Sequence, residues 1–196
     1  MDADRLLSDR FIQALSLATR LHNHQLRKGS ATPYVAHLLA VSSLVLENGG
    51  SEDAAIAALL HDAVEDQGGQ VILARIREQF GERVAQIVMA CSDTDVLPKP
   101  PWRERKEAHL TELAQSSADV LLVVSADKLH NLRSLVMDYR HIGEAVWDRF
   151  KGGRVGTLWY YHAALDVLKP RTDLPLVVEL EHTLAELEAM LPPAVD

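Results

Sequence analysis

Apolar positions recur at helical spacing through nearly every segment of the chain, and polar breaks separate those segments cleanly. Phe11, Leu15, Ala18 and Leu21 mark one face of a helix predicted over Asp9–Arg27. A loop, RKGSATP, follows. Thr32 is placed to cap a second helix, with Pro33 at a first position where a missing N–H costs nothing, and that helix runs to Glu47 before Gly49-Gly50. Ser51 caps a third helix, whose acidic first turn (Glu52, Asp53) suits the helix dipole and which ends at Gly68-Gly69. Two shorter helices, Val71–Phe80 and Glu82–Ser92, meet at Gly81. The prolines of DTDVLPKPPW forbid a helix there, and a charged helix resumes over Arg103–Gln115. Val120–Val124 is β-branched enough for a strand. The helical pattern of Leu129, Leu132, Leu135 and Val136 after it instead predicts one long helix, Asp119–Tyr139. A basic, glycine-rich loop over Arg149–Gly156 leads to closing helices at Thr157–Leu168 and Leu174–Leu191. The expected fold is all-α: a single helical bundle of about 8–10 helices across residues 1–196, with its core over about 9–168 and a C-terminal helix over 174–191.

Against that regular pattern, Ala57–Gly69 (AALLHDAVEDQGG) stands out. Ile56, Leu59, Leu60, Ala63 and Val64 form an apolar arc, and the opposite face gathers His61, Asp62, Glu65 and Asp66. Their spacing of three and four residues puts them within reach of one point. Three carboxylates that close repel unless a cation sits among them, and a divalent metal is the natural occupant.

Composition narrows the remaining choices. Twenty basic against 28 acidic residues leave a net charge of −8, which disfavours nucleic-acid backbone binding as a primary role. One cysteine, Cys91, excludes a disulfide framework. No stretch approaches the ~18 apolar residues of a membrane span, and the N-terminus lacks a signal core. The chain reads as soluble and cytoplasmic.

Neighbouring His61 and Asp62 diverge by about 100° on a helix, so further ligands must come from elsewhere. His37, near the start of the second helix, and Asp127, on the long helix in SADKLHNLR, are the candidates. Asn131 lies one turn past Asp127 on the same face. Two imidazoles and two carboxylates suit Mn²⁺, Fe²⁺ or Zn²⁺ better than a thiolate zinc site does. His22, His109, His141, His162 and His182 read as ordinary structural histidines.

HQLRKGSATPYVAH, AALLHDAVEDQGG and SADKLHNLR together resemble the HD-domain metal phosphohydrolases. More narrowly, they resemble the hydrolase domain of RelA/SpoT alarmone enzymes, and most of all the stand-alone small alarmone hydrolases of the metazoan-SpoT-homologue type. The resemblance is continuous over about Ala14–Leu135, and no room for a synthetase domain follows it. It implies a helical HD domain around one metal ion, usually Mn²⁺, held by His37, His61, Asp62 and Asp127. It implies that Glu65 and Asp66 handle the attacking water and its proton. It further implies that Arg27 stacks on the purine, that Lys28 approaches the phosphates, and that Asn131 faces the nucleotide. The implied reaction removes the 3′-pyrophosphate of guanosine tetra- or pentaphosphate, yielding GDP or GTP. The rival readings are hydrolysis of other nucleotides (adenosine alarmones, NADPH, nucleoside monophosphates) and a non-hydrolysing alarmone sensor. Candidate cations for the pyrophosphate include Lys128, the Arg103–Lys106 cluster, Lys151 and Arg154, with Tyr160 or Tyr161 beside the nucleoside. Two positions depart from the family pattern: His24 replaces a glycine and Leu38 a proline.

Overall fold

The bundle is built around a helix with no exposed face. In the computed structural model, which describes residues 6–93 and 98–192, α3 (Glu52–Leu60) has every residue from Ala54 to Leu60 fully buried. A helix apolar all round belongs at the centre of a core. Its four alanines let neighbouring helices come close, and α1 (Asp9–Leu21), α2 (Val35–Glu47), α6 (Glu82–Cys91) and α8 (Ala118–Ile142) pack around it. Between them lie α4 (Ala63–Gln67) and α5 (Gly69–Phe80). After α6 come α7 (Trp102–Leu113) and then α8, a 3-10 helix (Gly143–Arg149), α9 (Gly153–Leu168) and α10 (Pro175–Met190). The described residues thus hold ten α-helices and one 3-10 helix, and their only β pairing is an isolated antiparallel bridge, Leu26 with Pro33. The all-α expectation is borne out.

Residues Val120–Val124 are helical and buried. β-branched side chains tolerate a helix when packing surrounds them, so tertiary burial outweighs their strand preference. α10 closes the core from outside by laying Leu176, Leu180, Leu184 and Leu187 into the same apolar cluster as α8.

Several boundaries differ from expectation, and four of the differences bear on the site or its surroundings. α1 stops at Leu21 rather than Arg27, because the next residues fold back as a narrow hairpin: Arg27 N–H donates to Thr32 O at 2.9 Å and Tyr34 N–H to Gln25 O at 2.9 Å. Thr32 is spent in that hairpin and caps nothing; α2 starts at Val35 with Tyr34 before it and no side-chain cap. The third helix is not continuous to Gly68, since it breaks at His61-Asp62, where Asp62 takes φ −91°, ψ −4°. That conformation is sparsely populated and recurs at functional sites. Finally, the expected loop over Arg149–Gly156 shrinks to Phe150–Gly152, because Gly153, at φ +57°, already begins α9. Of the irregular proline-rich stretch, residues 94–97 lie outside the described residues.

Candidate metal centre and its pocket

The break at His61-Asp62 is what makes the centre. On an unbroken helix the two side chains would diverge; here His61 Nε2 and Asp62 Oδ2 stand 3.1 Å apart. His37 from α2 and Asp127 from α8 complete the group. His37 Nε2 lies 3.2 Å from Asp127 Oδ1 and 3.6 Å from Asp62 Oδ2, and His61 Nε2 lies 3.5 Å from Asp127 Oδ1. Ligands about 2.1 Å from one ion stand about 3.0–3.4 Å from each other, so separations of 3.1–3.6 Å are close to the spacing that a shared ion would set. His37, His61 and Asp127 are all buried, and their donor atoms lie within 4.8 Å of one another.

The Nε2 atoms of His37 and His61 are buried without a hydrogen-bond partner. Such orphaned polar atoms are rare in a folded interior, and a metal ion is the partner that fits two imidazole lone pairs and two carboxylates. The other ring nitrogens orient them. His61 Nδ1–H donates to Ala58 O at 2.8 Å, and His37 Nδ1 meets His130 Nδ1 at 2.8 Å. Burial first, then His37 and Arg27, holds His130 down at about 4, so its ring is neutral, and the tautomer with a bare Nδ1 can accept a proton from His37. The carboxylates are equally well supported. Tyr34 Oη donates to Asp62 Oδ2 at 2.6 Å, Lys128 Nζ to Asp127 Oδ2 at 2.7 Å, and Asn131 Nδ2 to Asp127 Oδ1 at 2.6 Å. Burial alone would raise the carboxyls of Asp62 and Asp127. The imidazoles beside Asp62, and Lys128 beside Asp127, outweigh it and hold both well below the usual range. Cys91 lines the same cavity, but burial pushes its thiol up and leaves it a poor ligand.

A cavity of about 950 Å³ opens over this cluster. Glu65 and Asp66 line it, but each is bonded to a partner outside the His–Asp cluster. Glu65 Oε1 accepts from Lys99 Nζ at 2.9 Å, with the Arg105 guanidinium 3.9 Å away. Asp66 Oδ2 accepts from Gln25 Nε2 at 2.8 Å. Burial, then the nearby Asp93, raises the Glu65 carboxyl above its ordinary value, and Lys99 only partly offsets this. Asp93 itself, burial notwithstanding, is held down at about 2 by Lys106 and Arg105. Arg27 reaches α8, its Nη2 donating to Asn131 Oδ1 at 2.7 Å while its guanidinium lies 5.7 Å from the Tyr34 ring centre. Lys28 is exposed at the mouth.

The outlying cations divide. Arg105 and Lys106 line the cavity and clamp Asp93, Lys106 at 2.7 Å, whereas Arg103 faces away, stacked 3.2 Å over Trp159. Lys151 lines the cavity; Arg154 instead donates to Pro192 O at 2.8 Å. Tyr160 and Tyr161 are buried in its wall. Three orienting residues escaped the sequence reading: Tyr34, His130 and Gln25. Tyr34 sits three before His37 and His130 three after Asp127, a helical spacing that would have found both.

The HD-domain family model matches residues 14–158. The chain belongs to the HD-domain family. It is 39% identical over 127 residues to the guanosine-3′,5′-bis(diphosphate) 3′-pyrophosphohydrolase of Xenopus tropicalis, spanning 63% of this chain and 68% of that enzyme. Among solved structures, a metazoan orthologue of SpoT that hydrolyses ppGpp superposes with a TM-score of 0.75 at 27% identity, covering 91% of this chain and 96% of that one. A Listeria monocytogenes EGD-e protein superposes with a TM-score of 0.69 at 29% identity, covering 77% and 97%. The resemblance read from the three motifs holds.

Proposed function

We propose that this HD-domain chain is a metal-dependent hydrolase that removes the 3′-pyrophosphate of guanosine tetra- or pentaphosphate, giving GDP or GTP and pyrophosphate. The observation that carries the reading is the set of two imidazole nitrogens and two carboxylate oxygens whose His–Asp separations run from 3.1 to 3.6 Å, both nitrogens buried and unpartnered, in a chain 39% identical to a 3′-pyrophosphohydrolase. His37, His61, Asp62 and Asp127 would hold the ion, with Mn²⁺ favoured and Fe²⁺ or Zn²⁺ compatible with the same donors. When bound, such an ion lowers the pKa of a water and polarises the phosphoryl oxygen.

The chain's own groups then divide the work. Glu65, with its raised carboxyl, is suited to take a proton from the attacking water, since a base nearer neutral pH both accepts and returns protons well. Asp66, fixed by Gln25, is suited to orient that water. Lys99 lies beside Glu65, where the pyrophosphate leaves, and can neutralise its charge. Arg27, tied to Asn131, offers a planar surface to the purine. Stacking of that kind does not select guanine over adenine, so adenosine alarmones fit the same site.

The test is direct. The Mn²⁺-loaded protein is incubated with guanosine and adenosine 3′-pyrophosphates, GTP, GMP and NADPH, and released pyrophosphate and phosphate are followed separately. Pyrophosphate released from the 3′-pyrophosphates alone supports the reading. Rapid phosphate release from a 5′-monophosphate, with the 3′-pyrophosphates intact, overturns it.

A further inference from the structure

His22, which the sequence presents as an ordinary structural histidine, sits one residue beyond α1 and is 2% exposed. Its backbone is pinned on both sides: its N–H donates to Ala18 O at 3.1 Å, and its carbonyl accepts from Gln25 N–H at 3.0 Å. The ring is thus delivered to one place, where its edge and its face make two different contacts.

The edge leads to Asp66. Gln25 Nε2 donates to Asp66 Oδ2 at 2.8 Å, and a carboxylate only accepts, so the Gln25 amide must turn its nitrogen that way. Its Oε1 then faces His22 Nδ1 at 2.7 Å and Gln67 Nε2 at 2.6 Å. Those two nitrogens stand 3.4 Å apart around one acceptor, and both donate to it. Burial lowers the imidazole from its ordinary value, more than Gln25 raises it, and the ring is neutral. His22 is therefore the tautomer with its proton on Nδ1, and its Nε2, buried without a hydrogen-bond partner, is bare. Asp66 needs this brace. It is exposed on a five-residue helix and lines both the main cavity and a second hollow of about 380 Å³, shared with Leu21, His24 and Gln67. Packing does not fix a carboxylate that opens on two spaces; hydrogen bonds do.

The face leads to Asp62. His22 stacks on Tyr34 with ring centres 5.2 Å apart and planes within 15°. Tyr34 also meets the His37 ring edge-on at 5.5 Å, and its hydroxyl donates to Asp62 Oδ2 at 2.6 Å. A stack of this kind restricts Tyr34 to the orientation that reaches Asp62. Resting on the reading above, we propose that His22 is a positioning residue for the reaction, holding Asp66 through Gln25 and Asp62 through Tyr34. One ring outside the cluster thus sets the water-orienting carboxylate and a metal-ligand carboxylate relative to each other, through separate atoms.

Two substitutions separate the two contacts. His22→Phe keeps a ring on Tyr34 but has no Nδ1–H, and His22→Asn keeps an N–H in that place but has no ring. His22→Phe is expected to lower kcat about tenfold, with KM and Mn²⁺ affinity unchanged. His22→Asn is expected to weaken Mn²⁺ binding about tenfold in calorimetric titration, with kcat nearly restored when the ion is in excess. Adding His22→Phe to Gln25→Ala should cost little beyond Gln25→Ala alone, because both cut the same link. Fully additive effects would overturn the proposal. So would equal losses of kcat and Mn²⁺ binding in both variants that simply follow the melting temperature, since His22 would then be a core residue only. Nitrogen NMR of the wild-type, metal-free protein tests the arrangement without substitution: a proton on Nδ1 and none on Nε2 is expected, and the opposite tautomer overturns it. If no 3′-pyrophosphate is cleaved, the proposed reaction fails, while the NMR and the metal titration still support or overturn the role of His22.

Discussion

His130 presents its Nδ1 to Nδ1 of His37 at 2.8 Å, so a histidine outside the cluster engages the His37 nitrogen that points away from it and leaves Nε2 facing the carboxylates. Without an acceptor there, His37 is free to place its proton on Nε2 and lose its lone pair to the centre. His130→Ala is expected to weaken Mn²⁺ binding about 10–100-fold, the usual scale for losing such an orienting partner. Calorimetric titration of the metal-free protein measures this, and an unchanged affinity would refute the orienting role.

Ligand and proton-handling residues separate under mutation. His61→Ala and Asp127→Ala are expected to lose both metal and activity. Glu65→Ala and Asp66→Ala should keep the metal while turnover falls roughly 100-fold or more. Metal content by elemental analysis, read beside turnover, distinguishes the two groups. Equal metal loss in all four variants would make Glu65 and Asp66 ligands instead.

The acid limb of the activity profile should follow Glu65. Its carboxyl is raised by burial and by Asp93, and lowered by Lys99. Activity that needs the ionised form is lost as pH falls through this raised value, so the limb is expected above the ordinary glutamate range of about 4.3. Asp93→Asn removes a like charge and should move the limb to lower pH; Lys99→Met removes an opposite charge and should move it higher. Shifts in the same direction for both variants would rule out Glu65 as the titrating base.

Stability carries its own pH signature. His109 is buried on α7, and burial, then Lys128 and Lys106, lowers its imidazole to about 4. The unfolded chain binds this proton near the ordinary value of about 6.5, so between that value and about 4 the unfolded state gains protons that the native state refuses. The stabilisation is fully present above about 6.5, falls as pH drops through this window, and changes no further below it. His109→Gln should flatten the loss of melting temperature between neutral pH and pH 4.5. An unaltered slope would show that other groups govern the acid transition.

The core was the more legible part of the sequence. The apolar arc of Ile56, Leu59 and Leu60 marked a helix there, though not its burial on every side, and the pattern past Leu129 settled Val120–Val124 correctly against its own strand preference. The four side chains that the fold brings together, His37, His61, Asp62 and Asp127, were legible because each falls on a regular helical spacing or in a dense polar block. What stayed hidden was local. The break at Asp62 is not encoded by a glycine or proline; it follows from the packing that brings Asp62 toward His61. Tyr34 and His130 stand at helical spacing from His37 and Asp127, a signal that was passed over, whereas the hairpin at residues 25–34 depends on two backbone bonds that no side-chain pattern announces.

The burial of α3 on every side has a consequence for metal supply. His61 and Asp62 leave the end of a helix that cannot shift without disturbing the whole interior, and their partners are anchored to α2 and α8, which pack directly on it. The donor atoms are therefore assembled before an ion arrives, and an ion can depart and be replaced without the chain unfolding. A rigid set of two nitrogens and two oxygens has little means of refusing a competitor of similar radius, and affinity for such sites rises from manganese towards copper whatever the enzyme prefers. Such a site is expected to take the ion that is on offer at the time, and exchange alone, with the chain still folded, should replace one ion by another.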